Sequence, residues 1–276
     1  MSDTRRSNLP LDGRVELLII DPQNDFSDAP GAALPVPGAR ADGERLAGLL
    51  DALGNRLEDI HVTLDTHQLV DIAHPIFWVD SDGNAPAPFT QINREAVAQG
   101  RWRPRNPAFA ERALAYVQSL ADNARYDLTI WPPHCLVGTW GHNVMEPVAA
   151  ALRRWEEDFA RVDYVTKGHN PWTEHYSAIQ ADVPDPDDPT TQLNTRLIQT
   201  LEQADTVLLS GQALSHCVAN TVRDIADNFG AASITKLVLI EDTSSPVPGF
   251  EALGQQFLAD LTRRGMRTVK SAEILA

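Results

Sequence analysis

"DTVLLSGQALSHCVANTVRDIADNFG", residues 205–230, is the stretch on which the fold reading turns. Its first part, "DTVLLSG" (205–211), is a short apolar, β-branched run closed by glycine, the pattern of a buried strand. In its second part Val218, Val222, Ile225, Ala226 and Phe229 recur at helical spacing, and Gly230 supplies a stop. Cys217, one of only two cysteines in the chain, falls where strand hands over to helix. The unpaired N–H groups of a helix start favour negative charge, so a thiol there is expected to ionise more readily than a free one at about 8.5. A single cysteine is ordinarily inert packing, so position makes Cys217 only a candidate nucleophile.

Outward from this unit the same alternation repeats. "VELLIID" (15–21), "IHVTLD" (60–65), "VDYVTK" (162–167), "KLVLIED" (236–242) and a short "MRTVK" read as further strands. Between them come helical patterns: Leu46, Leu49, Leu50, Leu53 and Leu57; residues 107–124; Val144, Val148, Leu152, Trp155 and Phe159; Leu193, Leu197, Ile198 and Leu201; and Phe250, Leu253, Phe257, Leu258 and Leu261. "YDLTIWPPHC" (126–135) adds an edge-strand candidate that the double proline ends. Apolar strands separated by amphipathic helices predict a three-layer αβα architecture around a mainly parallel sheet of about six strands, of the α/β class. The expected organisation is a single domain over residues 1–276 with insertions.

Composition narrows the function. A net charge of -15, with no basic run to offset it, opposes binding to nucleic acid or anionic lipid. No run approaches the 18 to 20 or so apolar residues of a membrane span, and "MSDTRRSNLP" lacks the apolar core of a signal peptide. A cytoplasmic location is therefore the expectation, and in that setting a Cys135–Cys217 disulfide is the minor reading.

In a parallel α/β sheet, ligands bind beyond the carboxyl ends of the strands. Asp21 ends the first strand, Asp65 the second and Lys167 another, and the strand at 205–211 leads to Cys217. Taken singly, each has a plain reading: a turn acid, a solvated cation, a packed thiol. Together, Asp21, Lys167 and Cys217 supply a proton acceptor, a cation and a nucleophile on one rim. A second set lies nearby. In "DTH", Asp65 and His67 are two apart on an extended segment and project to the same side. His134 and His74 are positioned to complete a cluster, a carboxylate and imidazole set that suits zinc, or iron or manganese where the coordination is larger. On spacing alone, turn roles for these histidines remain open. His61, His142, His169 and His175 read as polar or structural, and "DVPDPDDPTT" (182–191) as a proline-stiffened solvated loop.

In this order, "DPQNDF", "PGAALPVPGA", "DTH", "WPPHC" followed by "VGT", "VTKG" and "GQALSHCV" resemble the nicotinamidase/pyrazinamidase branch of the isochorismatase-like cysteine hydrolases, and the match spans nearly the whole chain. The resemblance implies the Rossmann-like fold of that group. It implies Asp21, Lys167 and Cys217 as a catalytic triad; Asp65, His67 and His134, with His74 as a fourth, as ligands of a divalent metal, zinc first; and the backbone of Ala213 and Cys217 as an oxyanion hole beside a cis Gln212–Ala213 peptide. It places Phe26, Trp131, Tyr176 and His216 around a flat pocket for an aromatic amide. The implied activity is hydrolysis of a heteroaromatic carboxamide, nicotinamide first, to its acid and ammonia through a thioester. The implied partner is a small-molecule amide, and assembly as a homo-oligomer is compatible with it.

Two segments, near 75–125 and 169–190, are longer than that family's compact pattern requires. Long ordered loops are commonly lids or binding loops, so Trp78, Trp102, Arg103, Arg105 and Trp172 are candidates to close over a larger or acidic amide. The competing functions are a metal-independent isochorismatase-like or carbamoyl-amide hydrolase, a redox-active thiol protein using Cys217 with Cys135, and a non-catalytic binding module.

Overall fold

The computed structural model describes residues 11–123 and 126–275. The polar opening at 1–10 and the last position of the predicted 107–124 helix lie outside the described residues.

Six strands form the main sheet: β1 (Val15–Ile20), β2 (Asp59–Asp65), β3 (Asp163–Lys167), β4 (Thr206–Gly211), β5 (Leu237–Ile240) and β6 (Arg267–Val269). Their order across the sheet is β6-β5-β4-β1-β2-β3 and every pairing is parallel. Strand order reverses between β1 and β4, which creates a crevice at their carboxyl ends. The register there sets Ile20 against Gly211 and Asp65 against Lys167. Both sheet faces are covered, so β1, β4 and β5 are buried at every position.

Side-chain alternation sends Val15, Leu17 and Ile19 of β1 into one core and Leu18 and Ile20 into the other. The first core is closed by α1 (Ala39–Leu53) and α4 (Glu146–Glu156), through Leu46, Leu49, Leu50, Leu53, Val148 and Leu152. The second is closed by α3 (Ala110–Asp122), α5 (Thr195–Gln203), α6 (Ala219–Asn228) and α7 (Glu251–Arg264). The described chain also contains short helices α2 (Arg94–Ala98) and α8 (Ser271–Ile274). This is the three-layer αβα arrangement that the alternating pattern predicts.

Several local expectations differ from the structure. Residues 126–135 do not edge the main sheet; Leu128–Thr129 pairs antiparallel with Gln91–Ile92 in a separate ribbon. Phe159 does not share the α4 face: it follows the helix end with φ +62° and is 99 % exposed. Leu193 precedes the Asn194 cap of α5 and is 38 % exposed. Leu57 lies past a 3-10 turn at Gly54–Arg56, though it packs in the same core as α1. Gly230 is not the residue that stops α6, which ends at Asn228 with an extended Phe229 after it. At Phe159, Leu193 and Leu57 the apolar spacing runs beyond a helix boundary that only the backbone reveals.

Candidate active site

The four rim residues come together at the carboxyl end of the sheet. Asp21 follows β1 directly, in a left-handed conformation with φ +44° that aspartate tolerates better than most side chains. Its Oδ1 accepts the Thr63 hydroxyl at 2.5 Å and its backbone N–H donates to Thr63 Oγ1 at 3.0 Å, so β2 fixes the orientation of the acid. Lys167 Nζ lies 2.9 Å from Asp21 Oδ2, 2.9 Å from Asp65 Oδ1 and 3.6 Å from Cys217 Sγ. The contact with Asp21 is a buried ion pair. Carboxylate oxygens of Asp21 and Asp65 and the Cys217 sulfur lie within 4.8 Å of one another. All four side chains are buried.

Close approach at this rim requires glycine twice. A Cβ on Gly211 (φ +121°) would run into the Ile20 carbonyl, and one on Gly168 (φ +78°) would stand 2.8 Å from Asp65 Oδ1.

Burial controls the protonation of the group. It pushes the Cys217 thiol well above its ordinary value, against the opposing pull of Lys167. This corrects the expectation of an easily ionised thiol. Cys217 sits inside a π-turn, Leu214–Val218, before α6 begins, and desolvation there, with Asp21 and Asp65 nearby, outweighs the pull of Lys167. Burial likewise raises Asp21, with Lys167 opposing. On Lys167 burial works against the charge, but Asp21, Asp65 and Cys217 overcome it and hold the ammonium. On Asp65 burial also loses, here to His67 and Lys167, and the carboxylate stays ionised.

Beside the thiol stands the second constellation. Ligand atoms of Asp65, His67 and His134 lie within 4.8 Å of one another. Asp65 Oδ2 is 3.1 Å from His67 Nε2 and 3.5 Å from His134 Nε2. The other ring nitrogens are occupied: His67 Nδ1 faces Asp71 Oδ2 at 3.0 Å, and His134 Nδ1 faces the Pro132 carbonyl at 2.9 Å. Both Nε2 atoms are thus left to converge beside Asp65, the arrangement in which outer partners orient ligating imidazoles. His74 stacks 5.2 Å from His67 and 5.8 Å from His134, ring centre to ring centre. Its Nδ1 lies 3.2 Å from the Leu69 carbonyl, while its buried Nε2 has no partner. Burial lowers its pKa to about 4, which keeps the ring neutral. Three convergent donors and one orphaned neutral imidazole fit a divalent cation.

Cys217, Asp65, His134 and Ala213 line one small, narrow cleft, with Phe26, Trp131, Tyr176 and His216 around it. Trp131 Nε1 donates to the Tyr176 hydroxyl at 3.0 Å. The Trp131 ring stands edge-on to His216, with 5.1 Å between centres and 88° between planes. Burial lowers His216 to about 3, so it serves as a neutral ring. The walls are thus flat and largely apolar. The Gln212–Ala213 peptide is cis.

Sequence reading missed Leu34, Val247 and Glu174, which also line the cleft. Glu174 Oε1 accepts the His175 N–H at 3.0 Å, and its Oε2 has no partner. Burial raises its pKa to about 8. No spacing rule marks it; its place within the 169–190 insertion is the one clue. Gln23, in "DPQNDF", was likewise unassigned: its side-chain amide pairs with both the N–H (2.7 Å) and the carbonyl (2.8 Å) of Asp65.

The insertions are placed differently from expectation. Trp78 is in the core with its indole N–H on the Ile72 carbonyl. Trp172 packs between Phe109 and the Arg112 guanidinium, and Arg103 and Arg105 are exposed. Trp78, Trp102, Arg103, Arg105 and Trp172 are all absent from the cleft lining. His61 pairs with Asp163 and Glu16 at the far end of the sheet, and His142 and His175 make structural hydrogen bonds. Cys135 and Cys217 are both free thiols.

No protein-family model matches the chain, and no curated protein matches it in sequence. Solved structures do match in shape. An Acinetobacter baumanii nicotinamidase/pyrazinamidase superposes with a TM-score of 0.64 at 20% identity, covering 95% of this chain and 98% of its own. The yeast nicotinamidase bound to the inhibitor nicotinaldehyde gives a TM-score of 0.65 at 18% identity, covering 93% and 99%. A pyrazinamidase of Pyrococcus horikoshii in complex with zinc gives 0.54 at 17% identity, covering 94% and 99%. The chain shares the fold of these solved structures, to whose group its ordered motifs show a resemblance.

Proposed function

We propose that this chain is a metal-dependent cysteine amidohydrolase, acting as one catalytic domain on a small planar heteroaromatic carboxamide, with nicotinamide the leading substrate. The observation that carries this reading is the shared cleft. Cys217, paired with Lys167 and close to Asp21, opens onto the same small space as Asp65 and His134. Neighbouring solved structures of this fold are nicotinamidases and pyrazinamidases, which supports the same chemistry.

Asp65, His67, His134 and His74 would hold the cation, zinc first. Bound there, it would supply a Lewis-acidic point able to fix a ring nitrogen of the substrate. The protein's own residues do the rest. Asp21 takes the thiol proton, because burial has raised the acid's pKa toward that of a useful base. Lys167 stays charged and holds the thiolate as it forms. Sulfur attacks the carbonyl carbon, a C–S bond forms, and the carbonyl π pair moves to oxygen, where the N–H groups of Ala213 and Cys217 receive it. The pair returns, the C–N bond breaks, and Asp21 gives its proton to the departing amine as ammonia. Water, deprotonated by Asp21, then cleaves the thioester and the thiol is restored.

The narrow walls suit a flat ring better than a bulky amide, and the insertions' Trp and Arg residues do not reach the cleft. The carboxylate and imidazole set argues against the metal-independent hydrolase. The test is ammonia release from nicotinamide, pyrazinamide and a set of larger carboxamides, with and without chelator. Chelator-sensitive turnover of the first two supports the reading. Turnover of none of them by metal-replete protein overturns it.

A further inference from the structure

We infer that Asp42, on α1 and outside the cleft, is a positioning residue for the amide-cleaving step: through Gln212 and Ser245 it fixes the turn that carries Ala213 and Cys217. This rests on the amidohydrolase reading above. Asp42 is a buried carboxylate in the first turn of α1, absent from the cleft lining. Three side chains donate to it. Arg45 Nη2 reaches Oδ1 at 2.6 Å, while Gln212 Nε2 at 3.0 Å and Ser245 Oγ at 2.6 Å share Oδ2.

Gln212 is the residue immediately before Ala213, and its side chain is held at both ends. Its Nε2 is on Asp42, and its Oε1 accepts the Ser245 N–H at 3.2 Å. The same loop then grips the turn at its next residues. Leu214 N–H donates to the Ser245 carbonyl at 2.9 Å, and Val247 N–H donates to Ser215 Oγ at 3.0 Å. Within the turn, the Ala213 carbonyl accepts the N–H groups of both His216 and Val218. A chain of hydrogen bonds therefore runs from α1 through Gln212 to the backbone that receives the developing oxyanion and supports the nucleophile.

Only a carboxylate serves all three donors. Glutamine, serine and arginine each present an N–H or O–H to Asp42, so an amide in its place would turn an NH2 group toward one of them. Because oxyanion donors act on charge that appears in the transition state, misplacing them lowers kcat more than it weakens substrate binding. Asp21 and Lys167, which flank the thiol, have no bond in this network, so simple alkylation of Cys217 depends on it less than amide cleavage does.

The experiment compares wild type with Asp42→Asn, Ser245→Ala, Gln212→Leu and Asp42→Asn/Gln212→Leu, each in metal-replete form. Expected for Asp42→Asn is a fall in kcat of about ten- to hundredfold. KM should stay within about twofold, and the iodoacetamide rate at Cys217 should change by no more than about threefold per folded molecule. The double variant should lose less than the product of the two single losses, since Gln212 is one of the two routes from Asp42 to the turn. Ser245→Ala, which removes a single hydroxyl, gives a milder version of the same split if Asp42→Asn folds poorly. An unchanged kcat, equal losses in kcat and alkylation, or multiplying effects in the double variant would each overturn the inference. If wild type hydrolyses no carboxamide, the functional reading fails separately. The clamp is then judged by amide exchange of residues 212–218, which Asp42→Asn should speed by about tenfold or more and which, if unchanged, removes the proposal.

Discussion

Lys167 Nζ stands 2.9 Å from Asp65 Oδ1 and also 2.9 Å from Asp21 Oδ2. One buried cation thus joins the acid beside the thiol to the acid beside the histidines. Replacing Lys167 by Met leaves two buried carboxylates without their counter-charge, so a loss of about 3–5 kcal/mol is expected. Urea unfolding checks this. Turnover should also fall by about a hundredfold or more, because the cation that holds the thiolate is gone.

Cys217→Ala should abolish turnover while the melting temperature stays near that of wild type, since the change removes one small buried atom group. Cys135, fully buried in the loop that carries His134, should tolerate Ser with most activity retained. Because burial raises the Cys217 thiol, its alkylation should be slow at neutral pH and accelerate into the alkaline range. Mass-spectrometric mapping of the label decides between the two thiols.

Purified without chelator, the protein should carry about one divalent ion per chain. His67→Ala and His134→Ala should each lose most of it, and His74→Ala should weaken it. Asp71→Asn tests the outer partner of His67: the ring loses its orienting carboxylate, and affinity should drop about 10- to 100-fold. Elemental analysis and metal titration give both numbers.

At the opposite end of the sheet, His61 lies 3.4 Å from Glu16 Oε2 and 3.0 Å from Asp163 Oδ2. Burial works against its charge, but Glu16 and Asp163 overcome it and raise its pKa. A raised folded-state pKa contributes stability that is complete below the unfolded value, about 6.5, and is lost as pH rises through the folded one. His61→Gln should therefore cost about 2 kcal/mol at pH 6. The gap to wild type should narrow steadily above neutrality. Paired thermal melts across this range measure the difference, and a gap that widens with pH contradicts the assignment.

The sequence by itself determined the alternation of strands and helices, because periodicity is written in residues a few positions apart. It also determined which residues end those strands. Asp21, Asp65 and Lys167 are legible as rim residues because β1 and β3 run into Pro22 and Gly168, and the apolar run of β2 gives way to the polar "DTH". The spacing in "DTH" places Asp65 and His67 side by side for the same local reason.

Only the tertiary structure decided the rest. The direction of the Cys217 shift depends on desolvation by distant segments, and this reversed the expectation drawn from its helix start. The ribbon of Leu128–Thr129 with Gln91–Ile92 needs a partner far along the chain, which no window of sequence shows. Phe159 fits an apolar helical spacing, yet the helix ends first and leaves it in solvent. Glu174 enters the cleft, while Trp172, two residues earlier, packs away from it against Phe109 and Arg112. Asp42 and Gln212 are 170 positions apart, and their bond exists because α1 and the end of β4 pack together at one crevice. Local pattern fixes what a segment becomes; burial, charge and contact are fixed by what else arrives beside it.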